Sequence, residues 1–418
     1  MTLLYDFILA CYALLLRLLA PFVPKARAWT EGRRGLLAQI RAALADDAAP
    51  RVWFHCASLG EFEQGRPLME AYRRRHPGTR LVLTFFSPSG YEIRQRWPGA
   101  DYVFYLPLDT RANARAFLDA VQPRLVVFVK YEYWFHLLTE TARRGIPAVL
   151  VSAIFRPEQV FFRPWGGFYR QILRAFRHVF TQNQASADLL HSIGLTEVSV
   201  AGDTRFDTVA ATAANAAQPL PVVEAFVSEG VSVLIAGSLW PDDLPALAPL
   251  LYAYADRLRV VIAPHEIGET TLQAIEAACP GPVLRYSQAT PASAAETRIL
   301  LIDNIGLLGQ LYRFGQYAYI GGGFGKGLHN TLEAAAFGLP LFFGPNYAKF
   351  QEAVALTKAG LAFPVHSATE LMAVFTPLYH DTPRHLRLQD ALLEYVHSQA
   401  GATRRIMQWL SEMLNVEG

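Results

Sequence analysis

Apolar and polar positions along the chain fall into three regimes. The first is a nearly unbroken apolar run over residues 3–23, in which Asp6 and Arg17 are the charged positions. Its length would just span a bilayer. Asp6 and Arg17 are 11 residues apart, about three helical turns, so they share one face and leave a thin polar stripe on an apolar helix. That stripe favours a helix embedded in a membrane interface over a full span. The plainer alternative is the buried first helix of a soluble protein.

The second regime starts at 51. Apolar runs at 51–56, 81–86, 102–106, 125–129, 148–151, 178–181 and 198–201 read as buried parallel strands. Helical stretches such as 61–75 and 110–121 lie between them. Residues 207–230 are rich in Ala, Pro and Val with no strong period and read as a linker. The third regime repeats the alternation, with strand-like runs at 231–236, 260–263, 283–285, 299–302, 317–320, 341–343 and 361–365, and a helical tail over 385–416. Alternation of this kind predicts an α/β chain of two doubly wound, Rossmann-like domains facing a central cleft, with ligands at the carboxyl ends of the strands. The expected division is 1–30 as an apolar membrane helix, 31–210 and 211–385 as the two domains, and 386–418 as C-terminal helices able to pack back on the first. GT-B glycosyltransferases share that architecture with a few epimerases and phosphorylases, and fold alone does not choose among them.

Composition sharpens this picture in two places. Through residue 210 the chain carries 26 Lys and Arg against 18 Asp and Glu, and after it 12 against 18, so the first half suits an anionic surface or substrate. Lys25, Arg27, Arg33 and Arg34 follow the apolar run, which would keep the rest on the cytoplasmic side near anionic lipid. A signal peptide is not expected, because no positive charge precedes the run and no small-residue cleavage site follows it. Cys11, Cys56 and Cys279 lie far apart, which indicates neither a disulfide framework nor a zinc site.

Candidate chemistry sits where strands end. The stretch 319–333 places Gly321, Gly322, Gly323, Gly325 and Gly327 between a strand and an expected helix over 330–337, closed by Gly338-Leu339-Pro340. Glycines allow close backbone approach, and a helix start offers N–H groups to an anion. Lys326, His329 and Glu333 lie in or just after this loop, a fitting seat for a nucleotide phosphate and ribose. It is not the dinucleotide fingerprint, which belongs on the first strand of a fold. In the first half, His55-Cys56-Ala57-Ser58-Leu59-Gly60-Glu61-Phe62 follows the first strand. Ser58 and Glu61 have capping-box spacing, while a carboxylate at a strand end can also take a proton from a hydroxyl; both readings stand. Glu132 lies among aromatics in Lys130-Tyr131-Glu132-Tyr133-Trp134, with a partly exposed loop where Lys130 offsets it as the alternative. Ser87-Pro88-Ser89-Gly90 is turn chemistry with spare donors, and Arg205 lies in the charged run 202–207. In the second half Ser238 follows a strand, Pro264-His265-Glu266 follows the next, and 344–352 follows the strand after the glycine loop. His265 fits a loop cap as readily as a ligand contact.

The ordered set H-x-A-S-L-G-E, K-Y-E-Y-W, G-D-T-R-F-D, A-G-S, A-P-H-E, G-G-G-F…H-N-x-L-E-A and G-P-N-Y resembles the 3-deoxy-D-manno-octulosonic acid (Kdo) transferases of lipopolysaccharide synthesis, over nearly the whole chain. The resemblance implies a GT-B enzyme that moves Kdo from CMP-Kdo to the lipid A precursor (lipid IVA), inverts the anomeric centre and needs no cofactor or active-site metal. It implies residence on the cytoplasmic side of the inner membrane, an anionic membrane surface as partner, and no nucleic acid. It puts the general base on Glu61, with Ser58, Gly60, Ser87, Glu132 and Arg205 on the acceptor side or cleft. Donor contacts would fall on Ser238, His265, Glu266, Gly322, Gly323, Lys326, His329, Asn330 and Glu333. The glycine loop is shorter before His329-Asn330 than in many relatives. The rivals are a lipid-directed GT-B enzyme with a UDP-sugar donor, a nucleotide-sugar epimerase, against which the apolar 3–23 run speaks, and a non-catalytic membrane-bound module.

Overall fold

The structure, a computed structural model, describes residues 1–416 apart from 216, 217, 228, 229 and 326. It divides into two compact units, Met1–Asp207 with Ala400–Gly418, and Thr208–Gln399. The Ala-rich stretch around the division, without a period in sequence, contains the helices Thr204–Ala214 and Pro221–Phe226. High intrinsic propensity forms a helix there without amphipathic spacing.

The first unit is built on β1 (Arg51–Cys56), β2 (Arg80–Phe85), β3 (Tyr102–Tyr105), β4 (Pro123–Val129), β5 (Ala148–Ala153), β6 (His178–Thr181) and β7 (Val198–Val200). They pair in the order β3-β2-β1-β4-β5-β6-β7, all parallel. The apolar runs are continuous because both faces of the sheet are covered. Val52, Phe54 and Cys56 point into one core with Phe62, Leu68 and Tyr72 of the helix Leu59–Arg75. Trp53 points into the other with Leu118 of Arg111–Val121 and Leu137 of Phe135–Arg143. The helix Ala402–Val416 seals the first of these cores with Ile406, Leu410 and Met413, spaced as one helical face. Asp207 accepts hydrogen bonds from the Gly401 and Thr403 N–H groups at that helix's start.

The N-terminal helix Thr2–Leu19 lies on this unit along one face. Tyr5, Leu9, Ala13, Leu16 and Ala20, four or three residues apart, are sheltered together with Asp6. The Tyr5 hydroxyl donates to Asp109 Oδ2 (2.6 Å), and Asp6 pairs with His136. Tyr12 packs edge-on against Trp29 (5.8 Å). The rest of the helix is bare: Leu3, Leu4, Phe7, Ile8, Leu14, Leu15 and Leu18 are exposed. By length and composition the helix could cross a membrane, with a mean hydropathy of 1.8.

The second unit contains β8 (Ser232–Leu239), β9 (Leu258–Pro264), β10 (Val283–Arg285), β11 (Ile299–Leu301), β12 (Tyr317–Ile320), β13 (Leu341–Phe343) and β14 (Ala362–Pro364). They pair in parallel as β10-β11-β9-β8-β12-β13-β14. Its core joins Leu234, Ile262, Tyr319 and Phe342 of the sheet to Leu247 and Phe375 of the helices Leu244–Ala253 and Ala368–His380. The expected helical tail is two helices, Thr382–Gln399 and Ala402–Val416, with Gly401 between them at φ +103°, a conformation a side chain would resist.

In a doubly wound sheet, ligands bind beyond the carboxyl ends of the strands where the order reverses. That point falls between β1 and β4 in the first unit and between β8 and β12 in the second. Both are where the candidate motifs lie.

Candidate functional site

In the first unit β1 ends at Cys56 and Ser58 caps the helix Leu59–Arg75. Glu61 closes the capping box: its Oε2 accepts from the Ser58 N–H at 3.1 Å and from the Ser58 hydroxyl. The capping reading is therefore realised. It occupies one oxygen of a half-buried carboxylate and fixes its orientation, and Oε1 has no hydrogen-bond partner among the described residues. Gly60 is exposed beside it. The Ser87 turn lies against this one, with the Ser87 N–H donating to Ala57 O (2.8 Å). Gly90 is packed so closely that a Cβ would meet Phe85 at 2.4 Å and the Ser58 backbone at 3.1 Å. Ser87 itself caps Pro88–Arg94 through Ser89.

Glu132 follows β4, across the switch point. The partly exposed loop offered as its alternative is not what forms. Glu132 is 5% exposed, and its carboxylate meets His55 Nε2 at 2.8 Å and the Trp134 indole N–H. His55, wholly buried at the end of β1, has Thr84 Oγ1 2.8 Å from Nδ1. The Trp53 indole donates to that same Thr84 oxygen (2.8 Å). All these side chains are satisfied when the Thr84 hydroxyl donates to Nδ1 and Nε2–H donates to Glu132. The H-x-A-S-L-G-E and K-Y-E-Y-W motifs are thus joined by a hydrogen bond that the sequence does not announce.

Three further groups gather here. Arg205 is clamped by Asp203, with Nε and Nη2 at 2.9 and 2.7 Å from Oδ2. Tyr131, 37% exposed, has its phenol pushed up by burial and by Glu61, against the lowering pull of Arg156 and Arg205. Burial, with Glu61 and Glu132 nearby, likewise pushes the Cys56 thiol up, which keeps it un-ionised. Tyr131 and Arg156 were missed in the sequence, although each lies just past the end of a strand. Lys130 and Ser152, at φ +69° and +53°, are non-glycine residues held left-handed at the ends of β4 and β5. Such strain clusters at functional sites.

In the second unit the glycine loop folds against the end of β8. Ser238, also left-handed at φ +52°, sits in a bulge of β8, and a Cβ on Gly321 would collide with its carbonyl oxygen at 2.2 Å. Gly323 packs on the backbone of Gly344, where a Cβ would come within 2.5 Å of the amide nitrogen. What ties the loop down is Asp243. Its buried carboxylate accepts from the Gly322 N–H (2.8 Å) and the Trp240 N–H (2.9 Å). Burial raises its pKa, and the N–H groups of Gly322, Trp240 and Phe324 pull it back down.

His329 stacks on His265 at 4.2 Å, and His265 on Trp240 at 4.6 Å. The Trp240 indole donates to His329 Nε2 at 2.9 Å. An indole can only donate, so His329 is neutral with its proton on Nδ1. Its low pKa, about 4 from burial and then from His265, agrees. His329 therefore offers the loop a hydrogen-bond donor, not a charge. Lys326 lies outside the described residues.

The helix expected over 330–337 is shorter, Leu332–Ala335, with a turn through Gly338 at φ +74°. Asn330 explains the late start: its Oδ1 accepts from the Leu332 N–H (3.1 Å) and its Nδ2 donates to Glu333 Oε1 (3.0 Å). The backbone that follows β12 is thus an irregular loop rather than a long helix's first turn. Glu266 is exposed after β9. Among the described residues no group of three or more His, Cys, Asp or Glu is placed to hold a metal ion.

Comparison with known proteins bears on both units. Residues 30–208 match the profile of the 3-deoxy-D-manno-octulosonic-acid transferase (Kdo transferase) family. The 3-deoxy-D-manno-octulosonic acid transferase of Bordetella pertussis is 27% identical over 96% of this chain and 99% of its own. Those of Aquifex aeolicus (26%, covering 78% and 85%) and Chlamydophila psittaci (27%, covering 71% and 70%) align as well. Over nearly its whole length the chain is thus similar to Kdo transferases. It is accordingly an enzyme of the glycosyltransferase class.

Solved structures add the fold. UDP-GlcNAc 2-epimerase from Neisseria meningitidis superposes with a TM-score of 0.63 at 15% identity, covering 87% of this chain and all of that one. MurG of Acinetobacter baumannii gives 0.56 at 14%, covering 87% and 99%. With its two parallel seven-stranded sheets, the chain has the GT-B fold.

Proposed function

We propose that the protein transfers Kdo from CMP-Kdo to a hydroxyl of the lipid A precursor, with inversion and without a metal, on the cytoplasmic face of the inner membrane. The observation that carries this reading is the placement of the family's motifs. Carboxylates stand at the switch point of the first unit, and a backbone cradle with the neutral His329 imidazole at that of the second.

Glu61 is the general base in this reading. Its Oε1 takes the proton of the acceptor hydroxyl as that oxygen bonds the anomeric carbon, while CMP departs with the electron pair of the broken bond. Ser58 holds the other oxygen. Glu132 positions through His55 rather than reacting itself. Arg205, Arg156 and Tyr131 offer donors to anionic groups of the acceptor. Ser238, His265, His329 and the Gly321–Gly323 backbone serve the donor, with N–H groups meeting the charge that grows on the leaving phosphate. Asn330 and Glu333 lie beside them, and Lys326 and Glu266 are assigned to the same task from the family pattern.

Membrane attachment is part of the proposal. Tyr5 and Asp6 hold the N-terminal helix against the first unit, which favours a helix lying in the interface over one that crosses. Burial of one exposed Leu or Phe contributes roughly 1.5–3 kcal/mol, so a few suffice for attachment. The test is mass spectrometry of products from the purified protein, CMP-Kdo and a tetra-acylated lipid A precursor, with UDP-sugars as alternative donors. One or more added Kdo masses are expected. Transfer from a UDP-sugar alone would overturn the donor assignment.

A further inference from the structure

A groove of about 820 Å³ opens on the first unit between the N-terminal helix and the segment that follows it. Arg17, Arg27, Arg33 and Arg34 line it, against Glu31 as the one carboxylate in its lining. The four arginines are not equivalent. Arg27 donates to Ala20 O (3.2 Å) and Pro21 O (3.0 Å), which braces the turn after the apolar helix. Arg33 forms the floor. Its guanidinium lies over Trp29 at 4.1 Å and donates to Leu106 O (2.9 Å) and Phe86 O (2.7 Å). No carboxylate meets Arg33 among the described residues, and burial lowers it to about 9, so it would gain from a nearby anion. Arg17 and Arg34 are exposed at the rim and make no ion pair among the described residues.

The groove's neighbour is apolar. Arg17 sits on the same helix as the exposed Leu14, Leu15 and Leu18, and Phe22 is 83% exposed just beyond. A cationic pocket beside bare leucines matches a ligand with a charged head and greasy tails. Guanidinium groups suit phosphate because their planar fork bonds two oxygens at once. The size is within the range of small-molecule pockets.

We propose that this groove seats the phosphate headgroup of an anionic bilayer phospholipid, whose acyl chains lie along the exposed leucines of Thr2–Leu19. It rests on the membrane reading above and deepens it: attachment is not a diffuse charge effect but a site. Because Arg33 also bonds Phe86 O, next to Ser87, an occupied groove fixes how the carboxyl end of the first sheet is presented to the membrane surface.

The test is co-sedimentation of the full chain with vesicles of phosphatidylcholine alone and of phosphatidylcholine doped with phosphatidylglycerol. The wild type should prefer the doped vesicles. Arg17→Gln/Arg34→Gln should lose about 30-fold in partition to them, as expected for two basic residues at an anionic surface, and bind plain vesicles as before. Arg74→Gln/Arg75→Gln, an equal change of charge on an exposed helix end, should keep the preference. A groove variant that keeps it, or a control pair that loses as much, overturns the site. Wild-type binding to both vesicle kinds alike also overturns it and leaves the membrane reading standing. Binding to neither removes both. Displacement from doped vesicles by inorganic phosphate at unchanged ionic strength would reassign the groove to a soluble anion and overturn the lipid.

Discussion

The two switch points use the same sheet geometry for opposite chemistry. At the first, between β1 and β4, side chains carry the polarity: Glu61, Glu132, His55, Tyr131 and Arg205. At the second, between β8 and β12, the backbone does: five glycines, a bulged Ser238 and the neutral His329, with the Asp243 carboxylate spent on holding the loop. A site that must remove a proton needs a carboxylate oxygen left open to a hydroxyl, as Oε1 of Glu61 is. A site that must hold a phosphate and accept its growing charge needs fixed N–H dipoles that pay no reorganisation cost during reaction. Under the proposed function, the difference follows from that division of labour.

The largest expected effect comes from the first switch point. Glu61→Gln keeps the capping box, because Gln at this position still accepts from the Ser58 N–H, but cannot take a proton. Turnover should fall about 10²–10⁴-fold with an unchanged melting temperature. Next is His55→Phe, which strands the buried Glu132 carboxylate and should cost roughly 3–5 kcal/mol in urea unfolding. Adding Glu132→Leu should recover most of that loss, because an apolar pair leaves no charge unmet. A double variant no more stable than the single one would mean the pair is not the unit described here.

The second switch point is tested by Asp243→Asn. The amide oxygen in the place of Oδ2 can still accept from Gly322 and Trp240, but without the charge, and it sets an NH₂ group where Oδ1 now accepts from the Tyr319 hydroxyl. Stability should fall by about 1–3 kcal/mol, and CMP affinity by about tenfold or more. The smallest effect is a pH dependence. Above the usual His value of 6.5 both folded and unfolded states leave His329 neutral; between there and about 4 the unfolded chain binds a proton that the fold refuses. Stability should therefore decline as pH falls through that window, by about 1 kcal/mol or less after solvent screening, and His329→Gln should flatten the decline.

The strands were legible because both faces of each sheet are covered, so every run reads as unbroken apolar sequence. Long-range pairing was not. His55 looks like a core residue in a strand, and its partner Glu132 lies 77 positions on. Asp243 is 79 positions before Gly322, in a short turn that local pattern marks only as a helix start. The helix after the glycines was drawn too long because its alanines are good helix formers, while the side-chain bonds of Asn330 and the left-handed Gly338 decide its ends.

The central claim is that proton removal belongs to the first unit and donor binding to the second. The most direct measurement compares Glu61→Gln and Asp243→Asn in parallel, with single-turnover Kdo transfer at saturating CMP-Kdo beside a CMP titration by calorimetry. The account predicts that Glu61→Gln loses the transfer step with wild-type CMP affinity, while Asp243→Asn loses CMP affinity and recovers most of its rate when saturated. Full single-turnover rate in Glu61→Gln would contradict it.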